Sequence, residues 1–370
     1  MQERQQTAGY ICPRTRTVLR SEGDMLRSDD GTLAYPVRNG IPQFLHYDTA
    51  EDEATVDRLQ RLNQLATERG WEPALTAVYG HDPSMIRYVT DTSRASFIDL
   101  LPLSLRSDVL EIGPGLGQFT PILARRSRQV SALEIVPDQA KFAAERCRQQ
   151  GIANVDVAVG GDDCRLPYQD EAFDLVVLNL VFEWCAWRCD DEQFADVQRR
   201  FLEEISRVIK PGGSLYLTTK NRFALRYLLG KSDEHCHQIP FGSALPRWVA
   251  RGLMKLKGHS RPLGMLYSHN ALQGMLERVG LNRAASFWAA PEMRYPKCYV
   301  LNDAASIRAA RQQPGFVQGE SRSSKVLMRF IPAPLVKHFT PGLAFLATKS
   351  VRALADDNYL DRSATTILSG

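Results

Sequence analysis

Paired cysteines are missing from this sequence. Its seven cysteines are scattered and no two are spaced as C-x-x-C; Cys185 and Cys189 lie four apart, but no second pair or histidine completes a zinc set. This usage is typical of reduced thiols in a cytoplasmic protein. We therefore expect neither a disulfide framework nor a metal site.

Long apolar runs and a strong excess of one charge are also missing. No stretch is long enough to span a bilayer, and the first residues, MQERQQTAGY, lack the apolar core of a secretory signal. The 46 Lys and Arg residues barely exceed the 42 Asp and Glu residues, which is far from the basic stripe of a dedicated nucleic-acid binder. We expect a soluble cytoplasmic protein for which nucleic acid is an allowed but not a favoured partner.

Strand and helix patterns alternate across residues 96–221. Apolar strand segments read DVLEIG, QVSALEI, VDVAVG, FDLVVLNLVF and SLYLTTK, and helical segments separate most of them. The fourth is apolar almost throughout, as expected of a central strand that is buried on both faces. Alternation of this kind predicts an α/β fold with a doubly wound, mostly parallel sheet.

The flanking regions differ in pattern from this core. The predicted organisation is a small N-terminal α+β module (1–48), a helical linker or cap (49–95), the core (96–221), a substrate cap with the closing helix and strands (222–350), and a polar tail (351–370). Val56, Leu59, Leu62 and Leu65 would form one face of a linker helix. Two long insertions, 222–266 and 291–340, would surround a substrate pocket.

The segment VLEIGPGLGQFT places three glycines directly after the first core strand. Gly113, Gly115 and Gly117 are spaced as G-x-G-x-G, and Gln118 departs from the dinucleotide pattern G-x-G-x-x-G. A tight strand-to-helix turn and a nucleotide-binding loop both explain such glycines. Glu134 ends the second strand, where a carboxylate can accept hydrogen bonds from ribose hydroxyls.

The ordered series E-x-G-x-G-x-G, strand-end Glu, G-D-x-x-x-L-P, F-D-x-V and P-G-G resembles the class I S-adenosylmethionine-dependent methyltransferases. The resemblance covers residues 96–221 and the closing helix and strands. It implies a Rossmann-like sheet with an antiparallel last strand, and S-adenosylmethionine as cofactor. One departure is that Phe182-Glu183-Trp184 stands where family members of this type often carry L-E-H, so a histidine base cannot be assumed there.

The same resemblance implies a set of cofactor-binding residues. Glu111 would lie near the cofactor's amino group, the three loop glycines near its methionine part, and Glu134 at the ribose. Ile135 would pack on the adenine, Asp162 would accept from the adenine amino group, and Asp163 would lie beside the ring. Asn179 and Leu180 would face the methionine moiety.

The N-terminal segment resembles the small zinc-ribbon-like activator subunits of RNA and protein methyltransferases. Cys12-Pro13 and the group Leu33-Ala34-Tyr35-Pro36 with Gly40-Ile41-Pro42 carry this resemblance. Zinc-binding members need four thiolates, whereas Cys12 stands alone here and Thr15 occupies a ligand position. We expect a metal-free module that packs on the core or recruits a partner, and the sequence leaves both roles open.

The candidate catalytic residues lie in or near the first insertion and after the fourth strand. A hydroxyl acceptor needs a base within hydrogen-bond reach, and the ranked candidates are His237 and His269, with Glu183 as a further carboxylate. The segment 246–261 predicts a basic amphipathic helix, either a substrate cap with a solvated basic edge or a peripheral membrane contact.

The favoured function is S-adenosylmethionine-dependent methyl transfer to a small-molecule or glycan acceptor, with a hydroxyl as the expected acceptor group. One alternative is an RNA or translation-factor methyltransferase, for which the activator-like segment argues. A second alternative is a non-catalytic cofactor-binding partner protein. The oligomeric state is left open.

Overall fold

The computed structural model describes residues 9–47, 52–185, 194–259, 262–314, 316, 322–350 and 368–369. Cys189 and nearly all of the 351–370 tail therefore lie outside the described residues. The chain forms two units. The first takes its described residues from 1–98, 102–177 and 207–213, and the second takes them from 99–101, 178–206 and 214–370. An element that crosses these bounds is described with the unit that holds most of its residues.

The first unit begins with a small antiparallel sheet. Its strands, in spatial as well as chain order, are β1 (Leu19–Glu22), β2 (Met25–Ser28), β3 (Ala34–Arg38) and β4 (Ile41–Pro42). Asn39 and Gly40 have φ angles of 52° and 75° in the tight turn between β3 and β4. Residues 9–47 contain strands and turns only, so the helical part of the expected α+β module lies beyond them and begins at Glu53.

Helices follow in the first unit. They are α1 (Glu53–Arg69), α2 (Trp71–Tyr79) and α3 (Pro83–Thr90), followed by a 3-10 helix (Thr92–Leu100). The Asp52 side chain caps α1 by accepting from the Thr55 amide. Leu59, Leu62 and Leu65 are buried on the predicted face of α1, which confirms the helical periodicity read from the sequence.

The rest of the first unit is the predicted strand and helix alternation. The elements are β5 (Asp108–Ile112), α4 (Thr120–Ala124), β6 (Gln129–Glu134), α5 (Pro137–Gln149), β7 (Val155–Val159) and β8 (Phe173–Asn179). Neighbouring strands run β8, β5, β6, β7, and β5 pairs parallel with β6, as β6 does with β7. Val109, Leu110 and Val130 are fully buried, so the apolar strand segments form the core.

The N-terminal sheet is anchored to the β7 edge of this unit. Gln43 forms a parallel bridge with Val159, and the Phe44 amide donates to the Val159 carbonyl at 2.6 Å. The Phe44 ring packs between Tyr10 and Tyr35, with centroids 5.2 Å and 5.1 Å away. The segment is therefore joined to the β7 edge in cis, and its Tyr10 ring also packs on Tyr168 of the core at 5.6 Å between centroids.

The second unit is built on an antiparallel sheet. Its elements are α6 (Phe194–Val208), β9 (Ile209–Lys220), α7 (Leu225–Leu228), β10 (Ser232–Asp233), a 3-10 turn (Glu234–Cys236), β11 (Ile239–Pro240), α8 (Arg247–Leu256), α9 (His269–Arg278), β12 (Leu281–Ala290), β13 (Cys298–Leu301), α10 (Ala304–Gln312), α11 (Arg322–Phe330), a 3-10 helix (Ala333–His338), β14 (Gly342–Lys349) and β15 (Leu368–Ser369). The strand order is β15, β13, β12, β14, β9. β14 pairs antiparallel with β9, for example Leu346 with Tyr216, so the antiparallel last strand is confirmed.

Among the described helices, none combines the length and apolar character needed to cross a bilayer. Within the same residues, no group of three or more His, Cys, Asp or Glu side chains is arranged to hold a metal ion. Cys12 is buried in the N-terminal sheet, where its Sγ lies 3.2 Å from the Tyr35 hydroxyl.

Candidate functional site

The glycine loop joins β5 to α4 in the first unit. Gly113, Gly115 and Gly117 have φ angles of 72°, 57° and 69°, a region that only glycine enters at no steric cost. The Gly113 amide donates to the Leu133 carbonyl at 2.9 Å. A Cβ on Gly117 would lie 3.2 Å from the Cβ of Ala143, so the loop also packs closely on α5.

Glu134, at the end of β6, holds this loop through its carboxylate. Its Oε2 accepts from the Gly115 amide at 2.8 Å, and its Oε1 accepts from the amides of Ile135 and Val136 at 2.9 Å and 3.1 Å. Hydrogen bonds from amides to a charged acceptor are among the stronger ones in proteins. Glu134, which was predicted to bind the ribose, therefore also fixes the conformation of the glycine loop.

Glu111 is a buried carboxyl without a full set of partners. It is 2% exposed, and its Oε2 has no hydrogen-bond partner within the described residues. Burial raises the pKa of this carboxyl to about 7, and the Arg146 guanidinium acts in the opposite direction. A buried carboxyl oxygen without a hydrogen-bond partner is costly, so the site favours a cationic or hydrogen-bond-donating ligand group.

Arg146 supports the same loop from α5, and no local motif in the sequence marks it. Its Nη1 donates to the Leu116 carbonyl at 3.1 Å and to the Val89 carbonyl at 3.3 Å. The guanidinium lies 4.1 Å from the centroid of the Trp71 ring. These contacts join segments that are far apart in sequence, so only the fold reveals them.

Asp162 follows β7 and is engaged by the N-terminal segment. Its carboxylate accepts from the His46 amide at 3.0 Å and from the Tyr47 amide at 2.7 Å. Asp163 accepts from the Arg165 amide at 3.1 Å, and burial raises the pKa of its carboxyl. Asp162, which was predicted to bind the adenine amino group, therefore lies where the backbone of residues 46 and 47 closes over the end of β7.

Asn179 and Leu180 belong to the second unit. The Asn179 Oδ1 accepts from the Thr218 hydroxyl at 2.6 Å, and the Leu180 amide donates to the Thr218 Oγ1 at 2.9 Å. Leu180 has a φ of 57°, which is uncommon for a branched residue and marks a constrained turn.

A cavity of about 150 Å³ in the second unit has Leu180 in its wall. Its charged lining residues are Lys220, Arg226, Lys231, Glu234, Glu292 and Arg294. Lys220 pairs with Glu234, and Arg294 lies 3.7 Å from the same carboxylate. Arg226 Nε has no hydrogen-bond partner among the residues that the structure describes. Four cationic and two anionic side chains give the cavity a positive surplus.

Glu183 is fully buried in the second unit beside a histidine–aspartate pair. Its Oε2 has no partner in the described part of the chain, and burial raises the pKa of its carboxyl. His235 is also fully buried; its Nδ1 lies 2.7 Å from the Asp233 Oδ1. Trp184 packs on the His235 ring at 4.4 Å between centroids.

The two predicted histidines lie elsewhere in this unit. His237 has a left-handed φ of 51° and stacks on the His259 ring at 3.7 Å. His269, at the start of α9, is 2% exposed, and its Nε2 lies 2.9 Å from the Ser286 Oγ. Burial lowers the pKa of His269 to about 4. Neither histidine lines the 150 Å³ cavity.

Comparison with known proteins agrees with this architecture. Residues 110–217 match the family model described as methyltransferase domain. The malonyl-[acyl-carrier protein] O-methyltransferase of Methylococcus capsulatus is 31% identical over 215 residues, which cover 55% of this chain and 73% of the relative. The biotin biosynthesis bifunctional protein BioHC of Cellvibrio japonicus is 36% identical over 126 residues, covering 34% of this chain and 22% of the relative.

Coverage of the relatives varies widely. The chain spans 22% of BioHC and 52% of the malonyl-[acyl-carrier protein] O-methyltransferase of a Marinomonas species. Among solved structures, phosphoethanolamine N-methyltransferase 1 of Haemonchus contortus is 13% identical with a TM-score of 0.40, covering 86% of this chain and 54% of that chain. From the sequence matches and the strand order, the chain belongs to the class I methyltransferase family.

Proposed function

We propose that this chain is an S-adenosylmethionine-dependent methyltransferase that acts on a small-molecule or glycan acceptor. The observation that carries the proposal is the loop of three left-handed glycines, held by Glu134 and adjoining the unpartnered carboxyl oxygen of Glu111 in the described part of the chain. S-adenosylmethionine, when bound, supplies a methyl group activated by a sulfonium. The residues present suit that cofactor, because Glu111 offers a buried acceptor for a cationic amino group.

The chain's own residues have three tasks in this proposal. The glycine loop brings backbone amides close to the ligand, and Glu134 keeps that loop in place while accepting from the ribose. Asp162 orients the adenine end together with the backbone of residues 46 and 47. Alignment of the reacting groups in a site with little water is the main contribution that such a protein makes to methyl transfer.

The 150 Å³ cavity of the second unit is the acceptor site in this proposal. Its positive surplus favours acceptors that carry an anionic group, such as a carboxylate or a phosphate. For a hydroxyl acceptor, Glu183 is the candidate base that we rank first, because one of its oxygens has no partner among the described residues and its pKa is raised. Like the two histidines, it is not among the residues that line the cavity. His237 and His269 stay weaker candidates, since the first stacks on His259 and the second is held by Ser286.

The test is methyl transfer into fractionated cell extract with methyl-labelled S-adenosylmethionine. We expect label in the small-molecule or glycan fraction with the wild-type chain. Glu134→Ala should remove most of that label, because at least three amide hydrogen bonds to a charged acceptor are lost. The matched control is Glu145→Ala, which removes a carboxylate paired with Arg148 on α5. Label confined to RNA or protein would contradict the proposed acceptor class.

A further inference from the structure

Helix α8 (Arg247–Leu256) exposes apolar side chains on the face that does not pack on the rest of the protein. Trp248 is 78% exposed and Leu256 is 85% exposed. These residues are eight positions apart, with Gly252 between them, so they lie on one side of the helix. A helix that only packs on a soluble protein needs one apolar face.

The other face of α8 is buried in apolar contacts with the protein. Ala250 and Met254 are 5% and 2% exposed and form a cluster with Ile239. The Arg222 guanidinium donates to the carbonyls of Ser243 and Leu245, both at 2.8 Å, and so fixes the segment that leads into the helix. The outer stripe is therefore an additional apolar surface on a firmly held helix.

Basic residues border this stripe. Arg251 and Lys255 lie on α8 and are exposed, as is Lys257 just beyond it. No Asp or Glu occurs between Glu234 and Glu277, whereas five Lys or Arg residues do. Phe241 and Leu263, which precede and follow the helix, are 45% and 38% exposed. The segment thus combines exposed apolar groups with a positive charge that no Asp or Glu of the same segment offsets.

We propose that α8 docks this protein onto the surface of an anionic lipid bilayer. Trp248 and Leu256 enter the boundary between headgroups and acyl chains, while Arg251 and Lys255 contact anionic headgroups. This composition is that of helices which lie in the membrane interface. A nucleic-acid partner would use the basic residues, but it would give Leu256 no apolar environment.

Vesicle flotation with the 370-residue chain tests the proposal. We expect the wild type to bind phosphatidylcholine vesicles that contain about one-third phosphatidylserine, and to bind pure phosphatidylcholine vesicles at least about tenfold more weakly. Trp248→Ser combined with Leu256→Ser should weaken binding about tenfold or more. Arg251→Gln combined with Lys255→Gln should weaken it about tenfold and reduce its sensitivity to salt.

The matched control is Leu105→Ser, which removes a side chain that is 72% exposed in the first unit. We expect no change in vesicle binding for this variant. Near-ultraviolet circular dichroism checks that each variant is folded. Vesicle binding requires no methyl acceptor, so its result is independent of the proposed activity.

Tryptophan emission supplies a second readout. Anionic vesicles should shift the wild-type emission to shorter wavelength, and Trp248→Phe should lose that shift while retaining vesicle binding within about threefold. Three results would overturn the proposal. These are no binding of wild type to anionic vesicles, equal binding by the Trp248 and Leu256 double variant, and binding to RNA alone that this double variant retains in full.

Discussion

At the scale of single residues, Glu111 is a buried group of the first unit's site whose ionisation the fold perturbs. Its pKa rises from 4.5 to about 7 because the carboxyl is buried. A carboxyl with a raised pKa in the folded state contributes its full stability below pH 4.5, where it is protonated in both states. The contribution falls as the pH rises towards 7, because the unfolded chain loses the proton first.

Glu111→Gln should remove this pH dependence. Between about pH 4.5 and pH 7.5, the free energy of unfolding of the variant should rise relative to that of the wild type by about 3 kcal/mol. Urea unfolding of both proteins across this range, without cofactor, measures the difference. A difference that stays constant with pH would show that the fold does not raise the pKa of Glu111.

Glu183 is the residue-scale test of the proposed base. If the acceptor is a hydroxyl, Glu183→Gln should lower kcat about 100-fold and leave the Kd for S-adenosylmethionine unchanged. Glu203→Gln is the control, because Glu203 is an exposed carboxylate paired with Arg199 on α6. Single-turnover methyl transfer and calorimetry give the two quantities. An unchanged kcat would exclude Glu183 as the base.

At the scale of elements, the contact between the N-terminal segment and the end of β7 depends on a glycine. Gly160 has a φ of +157°, and a Cβ there would lie 2.9 Å from the Cβ of Phe44. The same approach brings the backbone of residues 46 and 47 to Asp162. Glycine at position 160 therefore allows the N-terminal segment to approach Asp162, the residue proposed to bind adenine.

Gly160→Ala should destabilise the chain by about 2 kcal/mol, since it adds a steric clash to an unfavourable φ. Gly151→Ala is the matched control, because Gly151 has a φ of +68° and an added Cβ would meet no atom of the described residues within 4 Å. It should cost about 1 kcal/mol. Thermal unfolding and limited proteolysis of the N-terminal segment compare the two. Equal losses would show that the Phe44 contact contributes nothing.

Elements with a strong local pattern were predictable, and elements with a weak one were not. The strands β5 to β8 and β9 are apolar runs that the fold buries, so their sequence alone marks them. Helix α4 is shorter than its apolar pattern indicates, ending at Ala124. Strand β13 and helix α10, inside the 291–340 insertion, lack clear periodicity, so their existence depends on packing partners distant in sequence.

The same distinction holds for the site. Glu134 and the three glycines stand at strand ends, so position in the pattern was enough to select them. Arg146 acts through contacts with segments tens of residues away, and Arg226 lines a cavity whose wall comes from several segments, so no local motif identifies either residue. His269 was selected as a histidine close to the 222–266 insertion, and its packing against Ser286 and Phe345 has no signal in the local sequence.

At the scale of the whole molecule, the central claim is that this chain takes up S-adenosylmethionine through the glycine loop of its first unit. Calorimetric titration of the 370-residue chain with S-adenosylmethionine tests it most directly. We predict uptake of one cofactor per chain, about 100-fold weaker binding by Glu134→Ala, and unchanged binding by Glu145→Ala. Folded protein that takes up NAD or ATP but no S-adenosylmethionine would contradict the account.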